Sequence, residues 1–266
     1  TDTVILFLHG FPDFWFSWRY QIMEFSKKFR TIAVDLRGYG GSDKPIDCEY
    51  YRPSEITQDI LRLLDALNIE RCILVAHDWG GLIAWQLAQL HSNRLLKYII
   101  INAPEKRIFW YYLLTSLEQL KKSWYMFFFQ SPYLPEIALT MNDLQNLENI
   151  YKTNDKVSIL NSEELEAYKY TFGQPEALTP PLNYYRAIQT NAPVSLKNNN
   201  TEKFINIPGL MIISDGDKAL CKDMLEMSAK TAGGDNIKIN IINKAGHFVH
   251  QEKPQEVNKV ITEFIY

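Results

Sequence analysis

Short apolar runs alternate with amphipathic stretches over residues 1–104 of the chain. The apolar runs that we predict as strands are Val4–Leu8, Thr31–Val34, Cys72–Ala76 and Tyr98–Ile101. Between them, apolar residues recur at helical spacing, and Ser54, which follows Pro53, is predicted to cap one of the intervening helices. Strands that alternate with helices are typical of βαβ units, so the pattern predicts an α/β fold with a mainly parallel sheet.

The pattern changes in the middle of the chain, at residues 105–203. This stretch has no apolar run bounded by turn residues and carries many aromatic side chains between Phe109 and Phe129. The alternation then resumes with Gly209–Ser214, Leu220–Ala232, Ile237–Ile242 and Gln255–Tyr266. We therefore predict an α/β core formed by residues 1–104 and 204–266, with a helical lid at residues 105–203. Such a lid is expected over the carboxyl ends of the strands, where open α/β sheets bind ligands.

Charge and composition exclude several classes of protein. The 266 residues carry 28 basic and 31 acidic side chains, a balance that leaves no electrostatic footprint for nucleic acid. No apolar run approaches the roughly 20 residues that a membrane-spanning helix needs. The cysteines Cys48, Cys72 and Cys221 are too widely spaced to suggest a disulfide framework or a zinc cluster. We expect a soluble globular protein of a reducing compartment, without a metal site or a cofactor.

The segment Val75–Gly81 has the pattern of a nucleophile elbow. A predicted strand runs directly into a helix here, and small residues stand two positions before and two positions after Asp78. Small neighbours let strand and helix approach closely around a central residue in a strained turn. A carboxylate in place of the usual serine predicts attack on an sp³ carbon and an alkyl-ester intermediate. From these residues alone, an Asp78 that only caps the following helix is an equal alternative.

An elbow nucleophile needs a histidine later in the chain to act as base. His247 follows the last predicted strand and precedes the last helix, at the edge of the sheet where the base belongs, and His250 is the weaker candidate. His91 ends a helix away from this edge. We interpret His77 as structural, because adjacent strand positions point to opposite faces, and His9 as a residue that shapes a loop.

The acid that orients this histidine is expected after the predicted strand Gly209–Ser214. Asp215 and Asp217 both stand there, and either can hold an imidazole. We favour Asp217, which lies further out on the loop. An ordinary turn is the alternative interpretation of Asp215-Gly216, since turns favour that pair.

An ester intermediate also needs donors for the oxyanion that forms when water attacks it. The expected pair is the backbone N–H of Trp79, directly after the nucleophile, and that of Phe11, in the loop after the first strand. Phe11 precedes Pro12, a position where the peptide bond is cis or trans depending on the fold.

Three motifs together resemble the epoxide hydrolases of the α/β-hydrolase fold. They are His9-Gly10-Phe11-Pro12-Asp13, the stretch Asp35–Asp43 and His77-Asp78-Trp79-Gly80-Gly81, and the resemblance runs through essentially the whole chain. It implies cofactor-free hydrolysis of an epoxide to a vicinal diol, with Asp78, Asp217 and His247 as the triad. Tyr125 and Tyr185 match the two lid tyrosines of the family, whose phenols donate to the epoxide oxygen.

The segments Ser123–Asp143 and Glu163–Ala177 are most similar to the epoxide hydrolase 3 and 4 branch. The resemblance implies antiparallel strands before His9 and, in that branch, an N-terminal membrane anchor. Neither is present here, so we interpret a chain that starts at Thr1 as part of a longer one, with the N-terminal strands missing. The expected location is the cytoplasm, or the endoplasmic reticulum membrane where an anchor precedes the chain.

Two other functions fit the same residues. A haloalkane dehalogenase also uses Asp followed by Trp, and the Trp79 indole would then hold halide together with lid Trp110 or Trp124. A catalytically silent hydrolase-fold protein would enclose a lipophilic ligand beneath the aromatic lid. For the hydrolase, the expected partners are water and a small apolar epoxide, with lipid epoxides among the candidates. The sequence specifies neither the epoxide nor an oligomeric state.

Overall fold

Parallel strands form the centre of the computed structural model, which describes residues 3–189 and 205–266. The strands are β1 (Val4–Leu8), β2 (Arg30–Val34), β3 (Cys72–His77), β4 (Leu95–Ile101), β5 (Gly209–Ser214) and β6 (Ile237–Ile242). They lie side by side in the order β2-β1-β3-β4-β5-β6, and each pairs in parallel with its neighbours. The predicted α/β class and the parallel sheet are therefore confirmed.

The sheet is buried on both faces because helices cover it on both sides. Alternate side chains of β1 enter two separate cores: Leu6 and Leu8 belong to one, Ile5 and Phe7 to the other. This is why β1, β3 and β5 appear in the sequence as continuous apolar runs rather than as alternating patterns.

Twelve α-helices lie in the described part of the chain. They are α1 (Arg19–Phe25), α2 (Pro53–Ala66), α3 (Trp79–Leu90), α4 (Lys106–Thr115), α5 (Leu117–Lys122), α6 (Trp124–Phe128), α7 (Leu134–Ile150), α8 (Ser162–Phe172), α9 (Thr179–Gln189), α10 (Lys222–Ser228), α11 (Val249–Glu252) and α12 (Pro254–Ile265). Helices α4 to α9 follow one another between β4 and β5, in the range predicted as a lid. The predicted end of that lid, at residue 203, lies outside the described residues.

The predicted cap of α2 is wrong. The helix begins at Pro53, its N-cap is Arg52, and Ser54 lies inside the first turn. Proline suits the first helical position because its missing N–H has no partner there, and it keeps the preceding residue extended, as observed for Arg52 at φ −62° and ψ 141°.

Helices α4 to α9 are joined to the rest of the molecule through buried polar contacts. Glu164 of α8 accepts a hydrogen bond of 2.6 Å from the Arg19 guanidinium of α1. The Tyr168 hydroxyl donates to Asp13 at 2.7 Å, and the Tyr184 hydroxyl donates to the Arg37 carbonyl at 2.7 Å. These contacts hold the helices over the carboxyl ends of the strands.

Among the helices that the structure describes, none is both long and apolar enough to cross a membrane.

Candidate active site

The carboxyl ends of β1 and β3 lie at the point where the strand order reverses. From β1 the chain moves to β2 on one side, whereas from β3 it moves to β4 on the other. Open α/β sheets bind ligands in the crevice at such a switch point. The loop that carries Phe11 follows β1 and Asp78 follows β3, so both residues reach this crevice.

Asp78 occupies a strained turn between β3 and α3. Its backbone has φ 50° and ψ −119°, a region that residues other than glycine rarely adopt. Gly80 passes so close to the Leu8 carbonyl, and Gly81 so close to Ala103, that a Cβ on either glycine would overlap those atoms. The Asp78 side chain makes no capping hydrogen bond to α3, and the structure therefore does not support the capping alternative.

His247 lies between two carboxylates. Its Nδ1 is 2.7 Å from Asp217 Oδ2, and its Nε2 is 3.4 Å from Asp78 Oδ2. Asp217 is fixed in turn, because its Oδ1 accepts hydrogen bonds from the amides of Ala219 and Leu220 at 2.7 and 3.0 Å. The structure thus brings together the three side chains predicted as a triad.

The two rival candidates lie elsewhere. Asp215 is exposed and accepts a hydrogen bond of 2.6 Å from the Lys244 amide in a turn. His250 is fully buried, and its ring packs against Trp18 with 4.5 Å between ring centroids. Neither side chain contacts Asp78.

The charges in this group are strongly coupled. Burial lowers the pKa of His247, but the two carboxylates outweigh burial and raise this pKa to about 10. Burial raises the pKa of Asp78, but the hydrogen bond and the charge of His247 outweigh it, and the pKa lies below its ordinary value. At neutral pH the group is therefore an imidazolium held between two carboxylates.

One oxygen of Asp78 already occupies a donor site. The Phe11 amide donates to Asp78 Oδ1 at 2.7 Å, and the Phe11-Pro12 peptide bond is cis. Gly10 leaves no room for a Cβ beside this carboxylate, which explains a glycine before Phe11. The second predicted donor is the Trp79 amide. In the described part of the chain, this amide makes no hydrogen bond to the Asp78 carboxylate.

His9 and His77 hold backbone rather than substrate, as predicted. His9 Nε2 accepts from the Leu36 amide at 3.0 Å, so Nδ1 carries the proton and donates to the Gly10 carbonyl at 2.9 Å. His77 Nε2 lies 3.0 Å from the His247 carbonyl and can act only as the donor there. Burial lowers the pKa of both imidazoles, which keeps them neutral.

The sequence analysis missed Asn102, a further support of the His247 loop. Its amide nitrogen donates to the His247 carbonyl at 2.8 Å and to Ser214 Oγ at 2.7 Å, and its backbone has φ 44°. Asn102 thus connects the ends of β4 and β5 to the loop that carries His247. Its position directly after an apolar strand is the signal that would have indicated it.

Tyr125 of α6 and Tyr185 of α9 lie together above Asp78. Their ring centroids are 5.9 Å apart, and Tyr185 also packs edge-to-face on Phe11 and Trp79. Burial raises the pKa of both phenols well above its ordinary value, and the charge of Asp78 adds to this. Both groups therefore remain protonated and are able to donate hydrogen bonds. The Tyr125 hydroxyl makes no hydrogen bond to a described residue.

A cavity of about 580 Å³ connects these groups. Its lining includes Asp78, His247 and both tyrosines, and it is mainly apolar; the other large aromatic and aliphatic lining residues are Phe11, Trp124, Phe128, Phe129, Leu139, Ile150, Tyr151, Ile159 and Phe248. Of the two lid tryptophans considered above, Trp124 lines the cavity and Trp110 does not. Such a volume suits a small apolar molecule.

One buried group has the residue types of a metal site. Atoms of Asp13, His77 and His250 lie within 4.8 Å of one another, and they form the one such group in the described residues. Burial raises the pKa of Asp13 to about 7, and hydrogen bonds from Tyr168 and Gln251 only partly offset this.

Comparison with known proteins agrees with this arrangement. A family model for the alpha/beta hydrolase fold matches residues 3–254. Human epoxide hydrolase 4 is 38% identical over 98% of this chain and 72% of its own length. Epoxide hydrolase 3 of Xenopus tropicalis is 39% identical over 99% of this chain and 71% of its own length.

Solved structures give the same result. A variant of an epoxide hydrolase from Bacillus megaterium, in complex with a naphthyloxy-propanediol product, matches with a TM-score of 0.90 at 32% identity. The match covers 100% of this chain and 94% of the bacterial one. A novel epoxide hydrolase from metagenomes of hot environments matches with a TM-score of 0.86 at 34% identity, over 100% of this chain and 91% of that one.

Proposed function

This chain belongs to the epoxide hydrolases of the α/β-hydrolase fold, and we propose that it hydrolyses an apolar epoxide to a vicinal diol through an ester on Asp78. One observation carries the proposal: the imidazole of His247 lies between Asp78 and Asp217 and lines a mainly apolar cavity whose lining also includes the protonated phenols of Tyr125 and Tyr185. An alkyl ester needs a carboxylate nucleophile and a base, and epoxide opening needs an acid for the ring oxygen.

The first step is attack on an epoxide carbon. Asp78 Oδ1 is held by the Phe11 amide, so Oδ2, which lies 3.4 Å from His247 Nε2, is the oxygen that attacks. As the new C–O bond forms, the carbon–oxygen bond of the ring breaks and its electron pair moves to the ring oxygen. Tyr125 and Tyr185 donate hydrogen bonds to that oxygen, and one of the two phenols gives it a proton. The His247 imidazolium then returns a proton to that phenol.

The second step is hydrolysis of the ester. Ester formation removes the negative charge of Asp78, so His247 keeps only Asp217 as a charged partner and its pKa falls. The neutral imidazole then takes a proton from water, and the hydroxide adds to the Asp78 carbonyl carbon. The Phe11 amide stabilises the oxyanion at Oδ1. Collapse of this intermediate breaks the bond to the diol oxygen, which takes the proton of the added hydroxyl, so the diol leaves with Asp78 as a carboxylate and His247 as an imidazolium.

The lid and the substrate class follow from the same geometry. We propose residues 105–203 as the lid, because α6 and α9 supply both phenols and α7 lines the cavity. The aromatic lining favours an apolar epoxide over a polar one. Discrimination by shape in such a pocket is shallow, about 10- to 200-fold per methylene, so we expect several related epoxides to be accepted.

The test separates the two steps. His247→Gln should accumulate a covalent adduct of enzyme plus epoxide, which intact mass spectrometry detects, while Asp78→Ala should form neither adduct nor diol. In the His247→Gln background, Tyr125→Phe and Tyr185→Phe should each slow adduct formation by about a hundredfold, because a general acid contributes on that order. Asp217→Asn should impair diol release far more than its matched control Asp215→Asn.

Three results would contradict the proposal. Unaltered turnover in Asp78→Ala, or equal effects of Asp215→Asn and Asp217→Asn, would remove the triad. Halide release from chloroalkanes without diol formation from epoxides would favour a dehalogenase. Tight binding of an epoxide with neither adduct nor diol would favour the catalytically silent binder.

A further inference from the structure

Large apolar side chains accumulate on the outside of helices α4 to α7. Ten of the nineteen large apolar residues that the described chain exposes fall within residues 111–141. They are Tyr111, Leu114, Leu117, Leu120, Trp124, Phe127, Tyr133, Leu134, Ile137 and Met141, and we call them the lid patch. The other nine are distributed singly along the chain, as is usual for a protein surface. A concentration of this kind marks an interaction surface.

The spacing of the lid patch gives each helix an apolar outer face. From Tyr111 to Phe127 its members recur every three or four residues, and Leu134, Ile137 and Met141 repeat this spacing in α7. Residues three and four apart lie on one side of a helix. The opposite sides are already buried in the molecule, through residues such as Leu113, Met126 and Leu139. The outer faces are therefore apolar in addition to the faces that pack inward.

The lid patch is continuous with the mouth of the cavity. Trp124 lines the cavity and is nevertheless 65% exposed, so it lies at the opening. In α7, Ala138 and Leu139 line the cavity, while the adjacent Ile137 is 54% exposed. A protein seated on this surface would cover the opening. A lipid bilayer would cover the same side chains and would also hold an apolar substrate directly at the opening.

The polar residues beside the lid patch match a bilayer surface as well. Tryptophan and tyrosine are enriched where membranes meet water, and Trp124, Tyr111 and Tyr133 belong to the patch. Lys121 of α5 and Lys218 at the cavity rim are exposed cations, which anionic headgroups attract. We propose that the lid patch docks onto a phospholipid membrane, with α4 to α7 lying on its surface and the cavity mouth facing the acyl chains.

Vesicle binding tests this without any turnover, so its result is independent of the proposed reaction. The chain is sedimented with phosphatidylcholine vesicles, with and without phosphatidylserine. We expect binding that phosphatidylserine strengthens, and tryptophan fluorescence that brominated acyl chains quench. The triple variant Leu114→Ser, Leu117→Ser, Phe127→Ser should bind at least about tenfold more weakly, because apolar burial drives interfacial binding.

The matched control replaces three exposed apolar residues outside the lid patch: Met23→Ser, Ile46→Ser and Leu90→Ser. This control should bind vesicles like the unaltered chain, and both triple variants should keep the circular dichroism spectrum of the unaltered chain. Equal losses in the two variants, or no vesicle binding at all, would overturn the proposal. Light scattering that shows a dimer, dissociated by the lid-patch variant, would assign the surface to a second copy of the chain instead.

Discussion

At the scale of single residues, the site is built by burying charge and then compensating it. His247 is buried but carries two carboxylates as partners, whereas Asp13 is buried with neutral donors around one oxygen and none at the other. The pKa of His247 therefore rises to about 10 through its anionic neighbours, and that of Asp13 rises to about 7 through burial. Anionic neighbours thus keep the His247 imidazole charged, whereas burial without a charged partner favours the protonated form of the Asp13 carboxyl.

Asp13 makes the stability of the protein depend on pH. The unfolded chain releases this proton near pH 3.8, whereas the folded chain keeps it until about pH 7, so the free energy of unfolding falls as the pH rises between these values. Asp13→Asn keeps an acceptor for Tyr168 and removes this dependence. We expect the variant to gain a few kcal/mol over the unaltered chain between pH 4 and pH 8, measured by urea denaturation.

The difference between variant and unaltered chain isolates Asp13 from His247, whose raised pKa also makes stability fall with rising pH, but over a higher pH range. Stability from the raised pKa of His247 is complete below pH 6.5 and is lost as the pH approaches 10. Asp155→Asn, at an exposed carboxylate, is the control and should change the free energy of unfolding by less than about 0.5 kcal/mol. If the difference in the free energy of unfolding between Asp13→Asn and the unaltered chain does not change between pH 4 and pH 8, then Asp13 is ionised over that whole range.

The role of a single residue could be predicted from the sequence where the neighbouring residues alone determine it. The elbow around Asp78 depends on neighbours within a few residues, so its form could be inferred from Val75–Gly81. The choice between Asp215 and Asp217 depends on where a loop places each side chain relative to His247, thirty or more residues away, and the sequence analysis could state only a preference. Asn102 depends on contacts across three strands and was missed.

At the scale of elements, the strands follow from burial. Each predicted run overlaps an observed strand, since β1, β5 and β6 have the predicted bounds and the others are extended by one to three residues. The helix starts were harder to predict, because Ser54 has the right residue type but Pro53 occupies the first helical position. The left-handed residues Asn142, Asp143 and Leu144 within α7 carry no glycine signal and could not have been inferred.

The junction of β3 and α3 has a directly testable packing constraint. A Cβ on Gly81 would overlap the Cβ of Ala103, so Gly81→Ala should destabilise the protein by about 1–3 kcal/mol and displace Asp78, despite the better helix propensity of alanine. Denaturation and the rate of adduct formation in the His247→Gln background measure the two effects.

A second substitution provides the control. Gly81→Ala combined with Ala103→Gly removes the overlapping methyl group and should recover most of both losses, as neighbouring sites are expected to couple. If Ala103→Gly leaves the defect of Gly81→Ala unchanged, the space between α3 and the end of β4 is not what selects glycine here.

At the scale of the whole molecule, the helices that carry Tyr125 and Tyr185 and the sheet that positions Asp78, Asp217 and His247 are interdependent. The Arg19 and Glu164 side chains are 9% and 11% exposed, so their ion pair joins α1 to α8 away from water. Tyr151 donates to the Pro12 carbonyl at 2.5 Å, beside the loop that provides the Phe11 amide. The position of the phenols above Asp78 therefore depends on contacts that lie well outside the cavity.

This interdependence predicts that Glu164→Ala destabilises the core and the lid helices together. The variant leaves the Arg19 guanidinium buried without its carboxylate, which should cost about 3–5 kcal/mol. Because hydrogen bonds from Tyr168 and Tyr184 also connect the two parts, unfolding should remain a single transition, shifted equally when followed by far-ultraviolet circular dichroism and by tryptophan fluorescence.

Glu24→Ala, which breaks the exposed pair with Lys27, is the control and should change stability by less than about 0.5 kcal/mol. Separate transitions for the two probes would instead show that the helices between β4 and β5 unfold independently, and the geometry of the phenols would then not be set by the core.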